Sequence, residues 1–103
     1  MNQWDIFTWD DHPAVILSHP ERVASKPAVN ILSCSTQRAG RPPGPGEVLL
    51  DRADGLDWET LCRCDLIYAV EKADLRQRRG SVAPERRRQI VRAIIQAFGW
   101  NAI

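Results

Sequence analysis

Leu61-Cys62-Arg63-Cys64-Asp65-Leu66-Ile67-Tyr68-Ala69-Val70 is apolar enough to be a central β-strand, yet it carries a cation and a carboxylate in its middle. Leu61, Leu66, Ile67, Tyr68 and Val70 are bulky or β-compatible residues. Side chains along a strand alternate between faces. That period places Leu61, Arg63, Asp65 and Ile67 on one face, and Cys62, Cys64, Leu66 and Tyr68 on the other. Arg63 and Asp65 then stand about 6.6 Å apart on one rigid surface. Such a pair can flank a phosphate and its neighbouring hydroxyl. From these ten residues alone, the simpler reading is an ion pair at a sheet surface, worth roughly 0–1 kcal/mol.

Working outward, Trp4 to Trp9 alternates loosely and is rich in aromatics, which predicts a strand. Asp10-Asp11-His12-Pro13 reads as a tight polar turn, and Ala14 to Leu17 as the second strand of a hairpin. Ser18 to Pro27 is a polar connector with room for one helical turn from Pro20. Ala28 to Cys34 is a third strand, followed by Ser35-Thr36. Gln37 to Gly46 holds three glycines, three prolines and two arginines, a composition incompatible with regular structure. Glu47 to Leu50 is a short strand and Asp51 to Asp57 a turn region. Leu75 to Val82 reads as a last short strand or a basic loop.

Pro84 suits the first turn of a helix, with Glu85 near its positive end. Ile90, Val91, Ile94, Ile95 and Phe98 recur at helical spacing, which predicts a helix over about 84–98 with Gly99 as its stop. The fold expected is mainly β. Five or six short antiparallel strands curl into a small barrel or strongly bent sheet, covered by a C-terminal amphipathic helix. All 103 residues form one domain, since the length allows no second core.

No apolar run approaches the ~18 residues of a membrane span. Met1 to Asp5 lacks the basic segment and apolar core of a signal peptide, and three cysteines cannot pair evenly. A cytoplasmic, reduced protein without membrane contact is expected. Net charge is only +1 but unevenly placed. Residues 1–71 hold six basic and eleven acidic side chains, whereas residues 72–103 hold eight basic and two acidic. A basic C-terminal third suits a polyanion, although a solvated helix face has the same composition.

With the elements in this order, the sequence resembles the MazF/PemK toxin family, in particular its Kid-like branch within the CcdB/PemK superfamily. Pro13-Ala14-Val15-Ile16-Leu17-Ser18 is similar to the family's Arg-Pro-Val-Leu-Val-Leu-Ser. Asn30-Ile31-Leu32-Ser33-Cys34-Ser35-Thr36 is similar to its third strand, which ends in Thr-Ser or Thr-Ala. Gly55-Leu56 precedes the strand bearing Cys64-Asp65. Val70-Glu71-Lys72-Ala73-Asp74-Leu75 matches Val-Asp-Lys-Ser-Arg-Leu. Gly80 to Glu85 and the last helix resemble the family's Gly-Arg-Leu-Ser-Pro-Glu and its terminal helix. There are two departures. His12-Pro13 stands where the family usually has Arg-Pro, and a longer loop before it is cut to Asp10-Asp11-His12.

The resemblance implies a homodimeric toxin of a type II toxin–antitoxin system. Such a toxin cleaves single-stranded RNA by 2′-hydroxyl attack, needs no metal or other cofactor, and is neutralised by a cognate antitoxin. DNA would be met only indirectly, through the antitoxin complex. The Arg63-Cys64-Asp65 match implies a catalytic pair, and Ser35 and Thr36 match hydroxyls that contact substrate or assist catalysis.

The chemistry needs a base for the 2′-hydroxyl, a donor for the leaving oxygen, and positive charge on the phosphoryl group. Asp65 is the candidate base. Arg63, which cannot readily lose a proton, is the candidate clamp. His12 is the candidate acid, because imidazole titrates near neutrality, provided it reaches the face of Arg63 and Asp65 with Ser35 or Thr36 beside them; at more than about 10 Å from Asp65 the role fails. Arg38 and Arg41, with Arg76, Arg78 and Arg79, suit the phosphates of a single strand. A zinc site is not expected, because Cys-x-Cys within a strand lacks the usual ligand spacing. The four tryptophans belong in the core or an interface, although one beside the groove would stack a base. From another class comes the alternative of a CcdB-like, non-enzymatic gyrase poison, whose last helix ends in Trp-Gly-Ile. Gly99-Trp100-Asn101-Ala102-Ile103 is loosely similar. A third alternative is a degenerate relative that binds RNA or antitoxin without cutting.

Overall fold

The computed structural model describes residues 1–36 and 40–103. Six strands form one antiparallel sheet: β1 (Asp5–Trp9), β2 (His12–Ile16), β3 (Ala28–Thr36), β4 (Glu47–Leu50), β5 (Thr60–Glu71) and β6 (Arg76–Ser81). Their order is β4-β5-β3-β2-β1-β6. A short helix α1 (Pro20–Ser25) joins β2 to β3, and α2 (Pro84–Ala97) follows β6. The expected mainly β architecture with a terminal helix is the one observed. The basic segment left open between strand and loop is strand β6. No helix among the described residues is long and apolar enough to cross a membrane.

The first hairpin turns on Asp10 and Asp11 alone, both with positive φ (50° and 65°). Two left-handed residues suit the right-handed twist of a tight hairpin. His12 and Pro13 therefore belong to β2, not to the turn, and pair with Trp9 and Thr8. Pro13 has no N–H to give to β3. The β2–β3 ladder accordingly stops at Ala14 opposite Ser33. β3 itself runs on through Ser35 and Thr36, which face Leu61 and Thr60 of β5.

The sheet curls around one core and carries a second on its outer face. Ile6, Val15, Leu32, Cys34, Val48, Leu50, Cys62 and Cys64 meet Ile90 and Ile94 of α2 in the first. Ala14, Ile16, Val29, Ile31 and Val70 pack with Val23 of α1 in the second. The helical stripe differs from the expected one. Ile90, Ala93 and Ile94 face the core, whereas Val91 and Phe98 are exposed. Small Ala93 lets the helix approach, and so rotates the stripe away from Val91.

A 3₁₀ turn, Arg52–Asp54, locks the barrel between β4 and β6. Asp54 is buried and accepts hydrogen bonds from the Asp51 and Ala83 N–H groups and from Arg86 of α2. Gly80 of β6 lies against this turn so closely that a methyl there would overlap the Asp54 carbonyl oxygen.

Candidate active site

Strand β5 does not keep the simple alternation its sequence suggests. Leu32 of β3 pairs with Ile67, but Cys34 pairs with Cys62. Four residues, Arg63 to Leu66, thus stand opposite Ser33 alone. This extended bulge reverses the faces beyond it. Ile67 packs with the Cys62 and Cys64 core, and Tyr68 with the other. The expectation that Ile67 shares a face with Arg63, and Tyr68 with Cys62, is corrected accordingly. Arg63 and Asp65 do share one face and are lifted out of the β3 ladder. They are held instead by β4: Arg63 sits opposite Glu47, and the Cys64 N–H donates to the Gly46 carbonyl at 2.7 Å.

Arg63 Nη2 lies 3.6 Å from Asp65 Oδ2, with the two side chains 53% and 51% exposed. The contact is long for a hydrogen bond and open to water, so it stabilises little. Both groups remain available to a ligand. Arg41 donates to both oxygens of Glu47 at 2.8 Å, and the Gly44 N–H donates to one of them at 2.9 Å. The Arg41 hydrogen bonds, then that of Gly44, pull the Glu47 carboxyl down to about 2 against the opposing effect of burial. Arg41, Glu47, Arg63 and Asp65 form a row of alternating charge across β4 and β5. Arg41 is therefore already paired with a carboxylate.

His12 opens β2, exposed, on the face shared by Ala14 and Ile16. β3 separates it from β5, a lateral distance of about 10 Å for two strand spacings. Ser35 lies between them in the order of strands, on the Arg63 side of β3 by alternation. Thr36 points the other way. It lines a cleft of about 480 Å³ at the barrel mouth, with Pro13, Thr60, Trp58, Gln77, Arg78 and Arg79 among its walls. Arg78 reaches Asp5 at 3.4 Å, which tethers it to the rim. Arg38 lies outside the described residues. The structure thus divides the candidate residues between an outer-face pair and a mouth cleft that meet at the same end of the sheet.

A family model, that of the PemK-like, MazF-like toxins of type II toxin–antitoxin systems, matches residues 8–98. The chain belongs to this family. Solved structures agree in fold. An endoribonuclease from a mycobacterial species is 23% identical, with a TM-score of 0.82 over 96% of this chain and 91% of that one. A mycobacterial endoribonuclease in complex with its cognate antitoxin is 21% identical, with a TM-score of 0.78 over 96% and 93%. A MazE–MazF structure from Deinococcus radiodurans is 12% identical, with a TM-score of 0.76 over 96% of each chain. No curated protein matches significantly.

In this PemK/MazF-like toxin, sequence reasoning passed over Glu47, Gln77 and Thr60, and singled out no one tryptophan. Glu47 becomes visible only through its register with Arg63. Trp58 is 68% exposed and walls the cleft. Its signal in the sequence was an indole inside the polar turn Asp57-Trp58-Glu59, where a core residue has no place. The three cysteines are free and buried beneath the bulge. Hydrogen bonding with Cys34 and Cys64, together with burial, pushes the Cys62 thiol up. These thiols fill core space, and no group of three or more His, Cys, Asp or Glu among the described residues is placed to hold a metal.

Proposed function

We propose that this toxin is a metal-independent endoribonuclease that cuts single-stranded RNA at the Arg63–Asp65 face. The observation that carries the reading is the half-exposed pair itself, presented on the β5 bulge of a PemK/MazF-like chain. Asp65 takes the proton of the 2′-hydroxyl. The freed oxygen attacks phosphorus, the bond to the 5′-oxygen breaks, and that oxygen takes up a proton. The products are a 2′,3′-cyclic phosphate and a 5′-hydroxyl. Arg63 neutralises the phosphoryl oxygens as charge builds on them. His12 gives the proton to the leaving oxygen from the far side of β3, with the scissile phosphate lying over Ser35. Arg78 and Arg79 hold the strand beyond the cut.

The family match favours a nuclease over a gyrase poison. Partners in this reading are single-stranded RNA, a cognate antitoxin and a second copy of the chain, all in the cytoplasm. The test is incubation of the purified protein with a long single-stranded RNA in EDTA. Cleavage is expected for the wild type and lost in Arg63→Ala and Asp65→Ala. His12→Gln is expected to lower kcat about 10²-fold, as for loss of a general acid. Cleavage that persists in Asp65→Ala refutes the assignment of the base. An intact wild-type protein that inhibits gyrase and leaves RNA whole refutes the reading altogether.

A further inference from the structure

The cleft at the barrel mouth contains neither Arg63 nor Asp65, and its chemistry is that of recognition. Trp58 forms one wall. An indole left 68% exposed gives up hydrophobic stabilisation that a buried position would supply. The ring also borders a second, shallower cleft with Asp51, Arg52, Asp57 and Glu59, so it stands as a partition between two hollows. That second hollow carries three carboxylates and one arginine, and repels a polyanion. The first carries Arg79, and Arg78 with its 3.4 Å contact to Asp5, against Asp57, and is the less acidic of the two.

The remaining walls are built for hydrogen bonding. Thr60 donates its hydroxyl proton to the Trp58 carbonyl at 3.2 Å, which leaves the hydroxyl oxygen as an acceptor. The Gln77 backbone carbonyl is used by Thr8 at 3.2 Å. Its side-chain amide has no hydrogen-bond partner among the described residues, and so offers one donor edge and one acceptor edge to a ligand. Thr36 adds a second hydroxyl. An aromatic face beside a donor–acceptor amide is the combination that reads an unstacked base on its edge. A volume near 480 Å³ lies within the ordinary range for small-ligand sites, about 300–1,000 Å³. Along β5, Thr60 of the cleft is three residues from Arg63, about 10 Å. A single strand rounding the end of the sheet therefore passes from the cleft to the catalytic pair.

We propose that this cleft is a nucleobase-selecting subsite for single-stranded RNA, in which Trp58 stacks the base, Gln77 reads its edge, and Arg78 and Arg79 hold the adjoining phosphates. The inference rests on the ribonuclease reading and adds the residues that set where the enzyme cuts. It is tested in two ways. The four nucleoside 5′-monophosphates are titrated, at millimolar concentration, into Asp65→Asn protein while the Trp58 indole and Gln77 amide NMR signals are followed. Both signals are expected to move, with one base binding more tightly than the other three. Trp58→Ala weakens that binding about 5- to 150-fold, the range for loss of one base–aromatic stack, and Trp58→Phe restores most of it.

Cleavage ends are then mapped on a long RNA with the active protein. Trp58→Ala and Gln77→Ala are expected to relax the base preference at one position beside the cut and leave the other positions unchanged. If no monophosphate moves the two signals, or if Trp58→Ala cuts the wild-type sites in wild-type proportions, the subsite does not exist. Failure of the wild type to cut any RNA sinks the ribonuclease reading instead, and the monophosphate titration still decides whether the cleft takes a base.

Discussion

At the scale of single residues, Glu47 sets what its two neighbouring arginines are free to do. It holds Arg41 through two hydrogen bonds and faces Arg63 across the β4–β5 ladder. Its carboxyl titrates at about 2 in the folded protein against an ordinary value of 4.5. The folded value is the lower one, so the pair stabilises the fold fully above about pH 4.5. That contribution is lost as pH falls through about 2. Arg41→Ala removes the first cause of the shift. The Glu47 midpoint is then expected to rise toward the ordinary carboxylate range, as read from its side-chain carbon resonance in an acid titration. An unmoved midpoint would show that Gly44 and the local fold, not Arg41, hold the charge. The sequence offered Arg41 as a phosphate ligand because an arginine on a Gly/Pro loop has no visible partner. Its partner is six residues away and is found only when the loop folds back.

At the scale of elements, the joint between the Arg52–Asp54 turn, β6 and α2 fixes both walls of the mouth cleft. Gly55, Leu56 and Trp58 follow the turn, and Arg78 and Arg79 lie on the strand packed against it. Asp54 satisfies two backbone N–H groups and Arg86 from a fully buried position. Asp54→Ala leaves the buried Asp51 and Ala83 N–H groups without an acceptor and Arg86 with Asp51 alone, and is expected to cost about 3–5 kcal/mol. In a domain of this size that lowers Tm by about 12 °C or more. Asp51→Ala removes a partly exposed partner of the same arginine and is expected to cost about 1 kcal/mol. Calorimetry on the two variants separates them, and equal losses would refute burial as the deciding factor.

Neither this joint nor the β5 bulge was legible in the sequence. The strands, the hairpin and the helix start at Pro84 were, because period, turn residues and proline act locally. That Arg63 and Asp65 share one face was legible for the same reason, whereas their candidacy as a site came from the family resemblance and not from the strand. The bulge has no glycine or proline to announce it. It arises because β5 must pair with β3 and β4 at once, and only the register of all three strands reveals that Leu66 turns outward. Asp54 read as one more acidic turn residue, since nothing local says that α2 will bury it.

At the scale of the whole molecule, charge is nearly balanced in sum yet arranged for a polyanion at one end of the sheet. Arg63 stands on the outer face, and Arg78 and Arg79 stand at the mouth, while Arg41 is neutralised by Glu47. Three guanidinium groups on a single strand predict that log K for RNA falls with log salt at a slope of about −2. Glu47→Gln frees Arg41, because a neutral amide no longer holds the guanidinium. The slope is then expected to steepen by about 0.7, and binding to tighten at low salt. Arg79→Ala changes the slope by the same amount in the opposite direction. Titration of a fluorescent single-stranded RNA into Asp65→Asn protein across a salt series gives all three slopes. A slope unchanged by Glu47→Gln would place Arg41 away from the RNA path, and the strand would then run from the Arg63 face to the mouth without crossing β4.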